Sequence, residues 1–213
     1  MNLIHSAADT LRSGSPSESA RGAVILLHGR GASARDIAGL ADWLPSDGIA
    51  FAAPDARQGT WYPQRFFVPL EDNEPSLSSA LEVVGQLADG LHAAGLPWDR
   101  IGIAGFSQGG CLALEYALRH PRRYGFVAGL SGALIGPMDT PRPPVDLQGT
   151  PVLVACAEHD PHIPLPFVRH SIQVLEKSGT ELKSFLFPGG DHTVFQEEID
   201  WLRARLSGWV DPS

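Results

Sequence analysis

Short, continuously apolar runs alternate along this chain with longer stretches of helical periodicity. Residues 23–28 (AVILLH), 49–54 (IAFAAP), 101–105 (IGIAG), 126–131 (FVAGLS), 151–157 (PVLVACA) and 183–188 (KSFLFP) have the length and apolar content of strands. Between them lie helix-length segments at 34–44, 77–95, 109–120, 166–179 and 194–209. In the second of these, Leu77, Leu81, Val84, Leu87, Ala88 and Leu91 recur at three- and four-residue spacing, which marks one face of a helix. Strands that are apolar throughout, instead of alternating, are those covered by helices on both sides. The pattern therefore predicts an α/β architecture, a mostly parallel sheet of about six or seven strands with helices on both faces. In such sheets the reactive groups collect beyond the carboxyl ends of the strands.

The length of 213 residues suits one core, and the 43% apolar content is enough to build it despite 18 prolines and 23 glycines. The polar, Ser- and Gly-rich stretch RSGSPSESARG (12–22) reads as a loop. The expected organisation is an N-terminal segment and polar loop over 1–21 followed by a single domain over 22–213. A formal net charge of −8 repels phosphates at long range, which disfavours nucleic acid and anionic membranes, so neither is expected as a partner. No apolar run approaches the ~18 residues that span a bilayer, and the N-terminus has no basic start followed by an apolar block. The two cysteines, Cys111 and Cys156, sit in apolar contexts as free thiols would. Together these features lead us to expect a cytoplasmic protein. No Cys/His spacing resembles a zinc site, so no metal is expected.

The chemistry concentrates where the run IGIAG meets the helical segment GGCLALEYAL. The junction, Gly105-Phe106-Ser107-Gln108-Gly109, matches G-x-S-x-G. That pentad is uninformative alone, but a strand before it and a helix immediately after it are what a strained elbow needs to lift a serine hydroxyl above the sheet. A serine is almost fully protonated at pH 7 and needs a base, and the base needs an acid to orient it. Asp160 follows the strand at 151–157, and His192 follows the strand at 183–188. Glu158 is the reserve for the acid, and Asp191 is adjacent to the histidine. His159 and His162 share the loop of Asp160, so either as base would make one segment supply two members of the row. A developing oxyanion would be met by the N–H of Gln108, at a helix start, and by the N–H of Arg30 in the loop after the first strand. His28 in that loop is read as structural, a tie for the loop and not a base.

The stretches LLHGRGASARD, GFSQGG, LSGAL, CAEHDPHIP and GGDHTVFQEEI together resemble the phospholipase/carboxylesterase family of α/β-hydrolases, over about residues 22 to 206. The resemblance implies a serine esterase with Ser107, Asp160 and His192 as triad, an oxyanion hole from Arg30 and Gln108, and no cofactor. The acyl-protein thioesterase branch has an apolar residue where Arg30 stands, and the stretch QGTWYPQRFF is closer to the small bacterial carboxylesterases.

The aromatic segment 54–76 concentrates Trp61, Tyr62, Phe66 and Phe67 beside Arg57 and Arg65 at the catalytic edge. Trp61 and Tyr62 are expected to touch substrate, although rings in a long loop also serve to pin it to the core. The chain between LSGAL and the next strand is too short for a large helical lid, so Leu134 and Ile135 are expected on the rim of an open site. The expected partner is a small to medium soluble ester, and a homodimer is compatible with this reading. A ligand-binding protein without catalysis on the same scaffold is the rival of another class. A dienelactone-type hydrolase would carry cysteine in place of Ser107.

Overall fold

The computed structural model describes residues 4–210. Seven strands form one sheet: β1 (Thr10–Gly14), β2 (Gly22–Leu27), β3 (Ile49–Pro54), β4 (Ile101–Phe106), β5 (Phe126–Leu130), β6 (Thr150–Ala157) and β7 (Thr180–Phe187). Their order across the sheet is β1-β3-β2-β4-β5-β6-β7. Every neighbouring pair is parallel except β1 with β3.

Five α-helices cover the two faces: α1 (Ala34–Ala38), α2 (Ser76–Ala93), α3 (Gln108–Arg119), α4 (Leu165–Glu176) and α5 (Gln196–Val210). Successive side chains of a strand point to opposite faces, so β2 supplies both cores at once. Ile25 and Leu27 bury on the face covered by α2 and α3, with α4 packed farther along it on β6 and β7, while Val24 and Leu26 bury on the face of α1 and α5. This explains the unbroken apolar runs of the inner strands. The edge strand β7 instead has no fully buried residue, mixing half-buried and exposed positions. Among the described residues no helix is long and apolar enough to cross a membrane.

β1 lies inside the stretch expected as N-terminal segment and loop. Its residues, TLRSG, carry a single large apolar side chain, Leu11, and are mostly exposed, because an edge strand needs only backbone hydrogen bonds to its single neighbour. No apolar pattern betrays such a strand.

The chain runs outward from β2 to β3, then crosses back over β2 to β4. Connections from β2 and β4 therefore leave in opposite directions, which opens a crevice above their carboxyl ends. The loop carrying Arg30 and the turn carrying Ser107 meet there.

Candidate active site

Ser107 follows β4, the central strand, and precedes α3 without an intervening residue. Its backbone sits at φ 54, ψ −116, a conformation costing about 1–3 kcal/mol for a residue with a side chain. Two glycines make this turn possible. A Cβ on Gly105 would stand 2.2 Å from the carbonyl oxygen of Gly109, and a Cβ on Gly109 would stand 2.1 Å from that of Leu27. Neither partner is a flexible side chain, so any larger residue would force the elbow apart.

Two loops deliver the other members of the row. His192, after β7, places Nε2 2.8 Å from Ser107 Oγ. Its Nδ1 lies 2.6 Å from Oδ2 of Asp160, which follows β6. The other carboxylate oxygen, Oδ1, accepts the N–H groups of His162 at 2.8 Å and Ile163 at 3.0 Å. Burial alone would raise the pKa of Asp160, but the hydrogen bond with His192 and these two N–H groups outweigh it and hold the carboxyl below its ordinary value. Asp160 therefore stays ionised beside the imidazole. Glu158 makes no hydrogen bond to His192, and neither does Asp191. The rings of Phe106 and His162 pack against the imidazole at 4.8 Å each.

A cleft of about 370 Å³ opens over Ser107, and Arg30, Gln108 and His192 are among the residues lining it. The N–H groups of Arg30 and Gln108 have no acceptor among the described residues. Their side chains have a part that the sequence did not reveal. Gln108 Oε1 accepts the N–H of Trp61 at 3.0 Å, and its Nε2 donates to the carbonyl of Tyr62 at 2.8 Å. The Arg30 guanidinium donates to that same Tyr62 oxygen at 3.0 Å, to Pro63 at 2.8 Å, and also to Gln64. Asn73 completes the clamp by accepting the N–H of Gln64 and donating to the carbonyl of Arg65. Two residues that line the cleft thus also hold its aromatic wall.

The four residues expected to touch substrate divide. Tyr62 lines the cleft, although it is only 1% exposed and its hydroxyl has no hydrogen-bond partner. Trp61 is fully buried behind it, donating from Nε1 to the His28 carbonyl and packing on the rings of His5 and His28. Leu134 and Ile135 are not on the rim. The N–H of Leu134 is bound by Ser171 and that of Ile135 by Glu115, a buried carboxylate shared by Arg119 and Arg142, which draws both side chains into the core. Phe66 and Ile163 line the cleft instead.

His28 ties the loop together: Nδ1 donates to Gly29 O at 2.7 Å, and Nε2 accepts the N–H of Ala56 at 3.0 Å. Burial lowers its pKa, consistent with the neutral form that this pair of bonds requires. His5 is buried as well. It joins the N-terminal segment to the aromatic loop through Trp61 O and the N–H of Arg57.

The family model for phospholipases and carboxylesterases matches residues 10–210. A solved phospholipase/carboxylesterase from Dyadobacter fermentans is 38% identical, with a TM-score of 0.88 over 94% of this chain and 96% of that one. Acyl-protein thioesterase 1 of Schizosaccharomyces pombe is 31% identical over 166 residues, 70% of this chain and 73% of the relative. The Gibberella zeae protein of the same name is 30% identical over 122 residues, 56% of this chain and 52% of the relative. The matched stretch spans about half the length of this and several other curated relatives. The fold is that of the α/β-hydrolases.

Proposed function

From the chain's membership of the phospholipase/carboxylesterase family, we propose that it is a serine hydrolase of carboxylic esters working through an acyl-enzyme. The observation that carries this reading is the unbroken row Ser107 Oγ, His192, Asp160, at 2.8 and 2.6 Å. His192 Nε2 takes the serine proton as Oγ attacks the ester carbonyl carbon, a form of general-base assistance worth about 10²–10⁴-fold. Asp160 holds the tautomer with Nε2 free and stabilises the imidazolium that forms. The N–H groups of Arg30 and Gln108 receive the developing oxyanion, and a donor of this kind is worth about 10²–10³-fold. His192 then protonates the departing alcohol. Water, deprotonated by the same imidazole, releases the acid and restores Ser107. No step calls for a cofactor.

The absence of a helix between β5 and β6 leaves the cleft open, which suits small to medium soluble esters. Thioesters are the second class to assay, since the row acts on either carbonyl and acyl-protein thioesterase 1 is among the relatives. Ser107→Ala is expected to abolish hydrolysis of p-nitrophenyl butyrate and labelling by a fluorophosphonate while leaving the thermal transition in place. Unaltered turnover in that variant would remove the nucleophile. A wild-type protein that resists both reagents would instead favour a binding role on the same scaffold.

A further inference from the structure

A second depression opens beside the catalytic cleft, on the face of the sheet covered by α1 and α5. It measures about 490 Å³, and its wall is largely apolar: Ile37, Leu40, Trp43, Phe106, Val194 and Ile199. Gly29, Ala32 and Phe106 belong to the walls of both hollows, so they form a saddle between them. Trp43 is 57% exposed. A lone exposed ring is ordinary on a protein surface, but an exposed ring that completes an apolar hollow adjoining the cleft over Ser107 is a candidate substrate contact.

The polar side chains of this wall are already engaged. His28 is spent on Gly29 and Ala56. Asp36 accepts from both the N–H and the hydroxyl of Ser33, bonds that hold its carboxyl below the ordinary value. No cation lines the hollow to attract an anionic group. What fits is hydrocarbon or an aryl ring.

The position selects which half of an ester enters. The leaving oxygen must lie on the imidazole side of the reacting carbon, because His192 gives it the proton. Val194, two residues beyond His192, and Phe106, whose ring rests against the imidazole, are both walls of the second hollow. The other arm of the cleft is walled by Tyr62, Phe66 and Ile163.

We infer that the hollow between α1 and the start of α5 receives the alcohol half of the substrate, and that the preferred esters carry an apolar alcohol of alkyl or aryl type. This rests on the ester-hydrolase reading above. In the step concerned, the Ser107 Oγ–carbon bond forms and the carbon–alcohol oxygen bond breaks. The serine proton passes through His192 to that oxygen, and the alcohol leaves the hollow before water attacks. The hollow therefore acts on acylation and not on deacylation.

The test compares two substrate series in wild type, Trp43→Ala and Trp43→Asp: acetates of ethyl, butyl, hexyl and 2-naphthyl alcohols, and p-nitrophenyl esters of increasing acyl length. A buried methylene is worth about fourfold. In wild type, kcat/KM is expected to rise tenfold or more from ethyl to hexyl acetate. Trp43→Ala flattens that rise to within about threefold, Trp43→Asp removes it, and the slope of the acyl series stays the same in both. A flat alcohol series in a wild type that turns over p-nitrophenyl acetate overturns the inference alone. So does a Trp43 variant that changes the acyl slope, or one that leaves the alcohol slope intact. Absence of turnover on every ester overturns the hydrolase reading, and this inference with it.

Discussion

Replacing Gln108 by alanine separates its two parts, since the variant keeps the backbone N–H proposed to receive the oxyanion and loses the side chain that holds the wall. The side chain makes two buried hydrogen bonds, to the N–H of Trp61 and the carbonyl of Tyr62. The Tyr62 oxygen keeps the Arg30 guanidinium as a partner, so its loss is about 1 kcal/mol. Trp61 N–H has no second acceptor and lies in a fully buried residue; leaving it orphaned costs about 1–3 kcal/mol. The sum is roughly 2–4 kcal/mol, below the about 5–15 kcal/mol by which a domain is stable. For a chain of this length each kcal/mol lowers Tm by about 2–4 °C, so calorimetry should show a fall of about 4–16 °C. Turnover of p-nitrophenyl butyrate should fall as well, chiefly through KM, because the wall moves while the proposed oxyanion donor stays. Gln108→Glu keeps the acceptor for Trp61 but turns a carboxylate oxygen toward the Tyr62 carbonyl and adds negative charge where an oxyanion develops, so its loss should be mainly in kcat. An alanine variant with wild-type Tm and wild-type KM would refute this division of labour.

Asp160→Asn keeps an oxygen for the N–H groups of His162 and Ile163 but removes the charge beside Nδ1. It should fold and lose about 10³–10⁴-fold in kcat, and near-normal turnover would transfer the orienting role to another group such as Glu158. Glu198, in the first turn of α5, is fully buried with Oε2 accepting the N–H of Phe195 and Oε1 unpartnered, and burial lifts its pKa from 4.5 to about 8. The folded state therefore holds its proton more tightly than the unfolded state does. The stability this contributes is full below the unfolded value of 4.5 and is lost as pH rises toward 8, a change on the order of a few kcal/mol. Wild type should lose Tm relative to Glu198→Gln between pH 5 and 8, and parallel Tm curves for the two proteins would show that Glu198 titrates normally.

Much of this molecule is written in local pattern. The inner strands are covered on both faces, so runs such as AVILLH are unbroken, and the face of α2 follows from the spacing of Leu77, Leu81 and Val84. Gly105 and Gly109 announce the elbow because backbone approaches of about 2 Å to a Cβ leave no other residue possible. The order of Ser107, Asp160 and His192 after three separate strands is likewise a property of the chain. Other features belong to the assembled fold. β1 carries no apolar signature, since an edge strand is held by its backbone. Leu134 and Ile135 resemble rim residues until Ser171 and Glu115 capture their amides from helices elsewhere in the chain. Arg30 reads as an amide in an oxyanion loop, and nothing near it in sequence shows that its guanidinium reaches three carbonyls more than thirty positions away. Periodicity records whether a residue is buried and in which element, because both depend on near neighbours. Which donor meets which acceptor depends on how distant segments close on one another, and that geometry exists only in the folded chain.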